Sequence, residues 1–308
     1  MKLSWLKALG GFVLAAVLSV PSFGTNTALP GALNFIEGQA SIGNQTLTSK
    51  SVGSADLEQG QVLSTQNGRA EVLLTPGVFL RLDHNSAVKM VSPSLTNTQI
   101  EVQQGRAQVE VAELHKENNL QVRQDDAVTT LKKTGLYEFA SGPDTVKVFK
   151  GEARVLNGDD EVKVKGGREL VLSDTTAKAE KFDKDKAKDD FYNWGSLRSE
   201  YMSEASADAA QIYVNNDWIG PGWYWAPGFY GYTYLPGSVL LYSPFGGWGF
   251  YSPGAIYSGF YGVPIYRGYY HPHRIIRPRV VVPHSRIGFH GGVRGGGFHG
   301  GGVHIRRH

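Results

Sequence analysis

Between residues 56 and 156, apolar and polar positions alternate in at least eight short runs. Ala70, Val72 and Leu74 share one parity, against Arg69, Glu71 and Leu73. Val78, Leu80 and Leu82 form the next set, opposite Phe79, Arg81 and Asp83. The pattern returns in Ile100 and Val102, in Ala107, Val109 and Val111, and in Leu120 and Val122. It returns again in Tyr137 and Phe139, Val146 and Val148, and Ala153 and Val155. A period of two puts each set on one side of a pleated strand. Thr75-Pro76-Gly77 suits a type II turn, because Pro fixes φ and Gly accepts a positive one. Asn67-Gly68 and Asn157-Gly158 suit type I′ hairpin turns. Strands this short and evenly spaced predict an all-β domain. A looser first strand at 33–43 and closing strands at 162–165 and 168–172 extend it over residues 25–173.

Five of these pieces stand in an order that resembles the FecR domain, a bacterial envelope module. They are 57–65, with Gly60 and Val62; 69–82, around Thr75-Pro76-Gly77; 102–111, around Gln104-Gly105-Arg106; 134–139, with Tyr137; and 148–155, around Lys150-Gly151-Glu152. The resemblance covers about a third of the chain. It implies a short-stranded, β-solenoid-like or sandwich-like domain that binds partners or carries signals in the periplasm, without catalysis.

Outside that domain the pattern changes three times. Residues 1–24 read as a secretory signal, with Lys2 and Lys7 before an apolar run at 8–20 that is short for a membrane span. Cleavage is expected after Gly24; the alternative is an uncleaved N-terminal anchor. From about Asp183 to Gln211 within a charged 174–211 segment, Phe191, Trp194, Leu197, Tyr201 and Ala205 recur at helical spacing. That stripe predicts a helix docked on the β domain, with Gly195 costing it up to ~1 kcal/mol. Residues 212–270 are rich in Trp, Tyr, Phe, Gly and Pro, which predicts a largely irregular region of turns and short extended pieces. Residues 271–308 are Arg, His and Gly with few aromatics, a composition expected to be disordered.

Composition narrows the chemistry. The 308 residues include no Cys, which removes disulfides and thiolate chemistry. The net charge of +3 is unevenly spread: no acidic residue follows Asp217, whereas eight Arg do. His271, His273, His284, His290, His299, His304 and His308 are of the type that binds Zn, Ni or Cu, although no carboxylate or thiolate accompanies them. The other reading is a soluble cationic tail. Arg274, Arg277, Arg279, Arg286 and Arg294 suit an anionic envelope polysaccharide; export argues against nucleic acid. The aromatics at 218–261 suit a sugar-stacking surface, a membrane-interface belt, or simply a second layer over the β domain.

No catalytic constellation is legible. Asp125-Asp126 and Asp159-Asp160 sit at expected turns, His84 and His115 are lone, and no Ser lies in Gly-x-Ser-x-Gly. The glycine pairs at 291–302 lack the flanking strand and helix of a dinucleotide site. The expectation is a non-enzymatic, cofactor-free, exported envelope protein, periplasmic, outer-membrane associated or extracellular. Its mature chain would lack a membrane span and would bind an envelope component, protein or anionic polysaccharide. Two alternatives stand beside it: a FecR-type signalling regulator held by an uncleaved anchor, and metal or glycan capture by the C-terminal region.

Overall fold

A computed structural model describes residues 28–174, 176–214, 218–238 and 240–257. The signal-like stretch 1–24 and the Arg/His-rich stretch 271–308 lie outside the described residues.

The first strands are β1 (Leu33–Ile42), β2 (Gln45–Thr46), β3 (Val62–Leu73), β4 (Val78–Leu82), β5 (Ala87–Ser94) and β6 (Asn97–Gln104). They are followed by β7 (Arg106–Val111), β8 (Gln121–Gln124), β9 (Ala127–Leu131), β10 (Gly135–Ala140) and β11 (Thr145–Lys150). Then come β12 (Glu152–Asn157), β13 (Asp160–Lys165), β14 (Arg168–Val171) and β15 (Glu180–Lys181). All fifteen belong to one sheet, as an all-β body requires.

The long strand β3 joins two wings of that sheet. Along one edge it pairs with β1. On the other edge, Val62, Leu63 and Ser64 pair with β5, while residues 70–73 pair with β4. From β5 one wing continues through β6, β8, β9, β12 and β13; from β4 the other continues through β7, β10, β11, β14 and β15. The wings fold over a single core, with Val88, Ile100, Val122 and Val155 from one and Leu80, Val109, Phe139 and Val148 from the other. The result is a sandwich made from one bent sheet. Burying each of these side chains contributes roughly 1.5–3 kcal/mol.

Two turn expectations had different outcomes. Asn157-Gly158 turns β12 into β13, and Gly158 takes a positive φ. Asn67-Gly68 makes no hairpin: it lies inside β3, where Gly68 faces Gly38 of β1 and the backbones approach too closely for a Cβ.

After the sheet come α1 (Asp190–Tyr213), β16 (Gly222–Ala226), β17 (Gly231–Leu235), β18 (Leu240–Tyr242), β19 (Gly249–Tyr251) and α2 (Pro253–Tyr257). The helix begins at Asp190 instead of near Asp183, because Asp189 caps it by accepting a hydrogen bond from the Tyr192 N–H. The short extended pieces of the aromatic stretch pair as two hairpins, β16–β17 and β18–β19. Together with α1 they form a cap on the outer face of β3, β4 and β7. Phe79 of β4 stacks on Phe250 at 5.4 Å and meets Trp223 edge-on at 5.0 Å, with Leu73, Met202 and Tyr234 around them. These rings bury area as a second layer, while Trp218, Tyr230 and Tyr242 stay exposed.

Replacing Leu80, fully buried between the wings, tests this core. Leu80→Ala is expected to lose about 2–5 kcal/mol in urea unfolding. Leu156→Ala, at a position 47% exposed, should change stability by no more than about 0.5 kcal/mol. Equal losses would contradict the two-wing core.

Candidate interaction site

The polar parity of the central strands is buried. On β3, β4 and β7 the residues opposite the core are Glu71, Arg81, Gln108 and Glu110, all fully inaccessible. The register sets Glu71 directly across from Arg81, and Glu110 diagonal to it across from Phe79. Arg81 therefore reaches both carboxylates at 2.8 Å. The cap completes the cluster: Arg198 of α1 meets Glu71 at 2.8 Å, and the hydroxyls of Ser199 and Ser243 donate to Glu110. Asn34 of β1 donates to Glu71 and to the Tyr232 carbonyl, and accepts from the Tyr232 N–H. The Arg198 guanidinium also lies 3.9 Å from the Phe35 ring centroid and 4.9 Å from that of Phe229. Two Arg and two Glu balance, so the buried cluster is neutral.

Burial alone pushes the Glu71 carboxyl up; the charges of Arg198 and Arg81, with hydrogen bonds from Arg198 and Asn34, outweigh it and hold it below its ordinary 4.5. Burial likewise works against the Arg81 charge, and Glu110 and Glu71 overcome it.

The helix lies with its small and polar side inward. Phe191, Gly195, Arg198, Ser199, Met202, Ser203 and Ser206 are buried, while Leu197 and Tyr201 of the expected apolar stripe are 45% and 47% exposed. The serines explain the choice. Ser203 bonds both the N–H and the carbonyl of Gly249, and Ser206 bonds the Tyr234 carbonyl and the Tyr251 N–H. Each serine thus satisfies backbone of a hairpin. Gly195, which weakens the helix, passes directly over the buried Gln108 amide, where a Cβ would collide with its oxygen.

At the start of α1, Arg106 binds Asp189 at 2.7 Å and Glu138 at 3.0 Å, and Arg69 joins Asp83 to Asp190. Burial pushes Asp189 up, but the Arg106 guanidinium and the Tyr192 and Phe191 N–H groups hold it below 3.8. At Glu138 burial prevails over Arg106 and Lys147, and its carboxyl is raised.

The positions singled out for chemistry remain scattered or lie elsewhere. His271, His273, His284, His290, His299, His304, His308, Arg274, Arg277, Arg279, Arg286 and Arg294 fall outside the described residues. Asp125 lies at the β8–β9 turn with a positive φ, its carboxyl raised by hydrogen bonding to Asp144. Asp159 and Asp160 lie at the β12–β13 turn. His115 sits 3.8 Å from Glu113, whose other oxygen accepts from the Tyr234 hydroxyl. Among the described residues no group of His, Asp or Glu is placed to hold a metal ion. Sequence reasoning missed the four buried charges and Gln108.

Residues 61–154 match the family described as FecR protein. The FecR segment runs from β3 to the start of β12 and so supplies strands to both wings. It contains Glu71, Arg81 and Glu110, but not Arg198, Ser199 or Ser243. Two similar crystal structures, at 2.50 and 1.65 Å, are of a candidate anti-sigma factor from Parabacteroides distasonis. They are 14% and 13% identical to this chain, with a TM-score of 0.36 in each case. The similarity covers 41% of this chain and 62% of theirs, so this chain spans less than two thirds of their length. No curated protein matches the chain.

The cap's hold on the FecR segment predicts a pH dependence. Glu71 and Asp189 are depressed in the folded state, so their contributions are present above pH 4.5 and 3.8 and are lost as pH falls through the folded values. The raised Glu138 acts oppositely, since its protonation favours the folded state. Arg198→Met, which keeps an apolar stem between the two rings, is expected to lose about 3 kcal/mol at pH 7 by urea unfolding. Its deficit should shrink as pH falls below 4.5 and through the depressed Glu71 value, as Glu71 takes a proton. A pH-independent deficit would contradict the charge pairing. Lys186→Ala, at an exposed pair with Asp183, serves as the neutral control.

Proposed function

We propose that the chain is a FecR-like regulator that works by contact with a protein partner and performs no catalysis. The observation that carries this reading is the FecR match over the strands that build both wings. The resemblance to FecR regulators supplies the signalling role, and the described residues supply a capped scaffold suited to presenting a surface. Among the described residues no helix is long and apolar enough to cross a membrane. Export rests on the lysine-flanked apolar run at 8–20, either cleaved after Gly24 or kept as an anchor.

The signalling form of the reading is favoured over general envelope binding, because the family match speaks for it and most of the aromatic band is consumed in packing. The experiment combines gene deletion with fractionation and sequencing of the mature N-terminus. Deletion is expected to change a small set of transcripts severalfold, with restoration by the wild-type gene. An intact Met1 in the inner membrane would support the anchored regulator, and a start near Thr25 the exported one. Unchanged transcripts, with no protein captured on a tagged full-length chain, would contradict both.

A further inference from the structure

The turning of α1 toward its small and polar side leaves an apolar outer face with no cover among the described residues. Leu197 and Tyr201, one turn apart on that face, are each close to half exposed. Beside them, α1 and the turn joining β16 to β17 enclose an open groove of about 280 Å³. Ala205, Ala209 and Ala226 make its floor, and Tyr201 and Phe229 its walls. Its volume falls short of the roughly 300–1,000 Å³ of small-molecule clefts, and it is open along its length. A groove of this shape takes side chains presented by another polypeptide.

Charge specifies which polypeptide. Glu200, Glu204 and Asp208 follow one another at four-residue intervals along the outer face. All three are exposed, Glu204 and Asp208 line the groove, and none is in an ion pair among the described residues. The stretch 199–266 contains no Lys, Arg or His at all, so nothing within it neutralises them. Like charges at this spacing destabilise a helix. Burial, and then Glu200 and Asp208, push the Glu204 carboxyl up. Among the described residues nothing offsets this repulsion, and a cationic neighbour would relieve it.

We infer that this groove docks a basic amphipathic helix of a partner protein. Its aliphatic side chains would seat on the alanine floor, and its Arg or Lys residues would lie along Glu200, Glu204 and Asp208. This is the helix-in-groove mode of recognition, with charge adding orientation and salt sensitivity. The inference rests on the reading of the chain as a protein-binding regulator and names the contact surface and partner chemistry.

The test uses the full chain and a fluorescein-labelled fifteen-residue peptide with Leu at helical i, i+3, i+4 and i+7 positions and Arg on the remaining face. Anisotropy is expected to give a Kd of about 10 μM that weakens as salt rises. Glu204→Gln with Asp208→Asn should weaken binding about tenfold, and Tyr201→Ser severalfold. Asp159→Asn with Asp160→Asn, on a distant turn, should leave it unchanged. A scrambled peptide of the same composition should bind at least tenfold more weakly. Equal binding of the scramble, or equal loss from both acid pairs, would reduce the effect to general charge and overturn the proposal. No binding would overturn it too, as would self-association of the chain that excludes the peptide and makes a second copy the occupant. The groove variants also separate this from the regulator reading. If they abolish peptide binding but leave the transcript response intact, the groove assignment fails and the regulator stands. If deletion of the gene changes no transcript, the regulator fails whatever the peptide does.

Discussion

Four charges buried between a sheet and a helix constrain this fold more than any other feature. Taking an ion out of water costs several kcal/mol even after relaxation, and only close, fully bonded partners offset that. Arg81 is held between Glu71 and Glu110, but both carboxylates keep further lone pairs that the sheet alone leaves to solvent. Arg198, Ser199 and Ser243 supply donors to them, while Arg81 Nη2 and Arg198 Nε stay buried without a hydrogen-bond acceptor. The cap cannot sit elsewhere on the face, nor in another rotation, without leaving charge unpaired in a dry interface. Its placement is set by electrostatic matching, while burial of Phe79, Trp223 and Phe250 provides the larger share of the driving force.

Several local choices follow from that constraint. The helix turns Arg198 and three serines inward, so its inner side is small enough to lie close and polar enough to bond the hairpins. Gly195 is needed where the helix crosses Gln108. The hairpins at 222–235 and 240–251 can be rich in Gly and aromatics and still be ordered, because their backbone is satisfied by Ser203 and Ser206 as well as by their own short ladders. Two apolar residues of the helix, Leu197 and Tyr201, are left outside among carboxylates. The same rotation that closes the inner interface thus creates the outer one.

The sequence made part of this legible. Val78, Leu80 and Leu82, with Ala107, Val109 and Val111, read at once as the inner side of paired strands, and they are. The FecR order of glycines and turns was equally readable. Period two, however, cannot say whether the opposite side is wet. Glu71, Arg81, Gln108 and Glu110 carry no local mark of burial, and Arg198 lies 127 residues from Glu71. The helix was readable as a helix and its docked side only in part: Phe191, Trp194 and Ala205 of the apolar stripe pack inward, whereas Leu197 and Tyr201, which hydrophobicity equally selects, do not. The spacing of Ser199, Ser203 and Ser206 with Ala209 and Ala210 was the available signal: small residues recurring at three and four mark a close approach. The pairing of β16 with β17 depends on cross-strand contacts such as Trp223 with Tyr234, which composition does not encode.

If the charge cluster welds cap and body into one cooperative unit, both must be lost together. Urea unfolding of the full chain at pH 7, followed in parallel by tryptophan fluorescence and far-UV circular dichroism, tests this directly. Fluorescence reports mainly on the cap, which holds Trp194, Trp223, Trp225 and Trp248, and the dichroism mainly on the sheet. The account predicts a single transition with coincident midpoints. A fluorescence transition complete before the β signal begins to fall would mean that the cap detaches from an intact sandwich, and would contradict it.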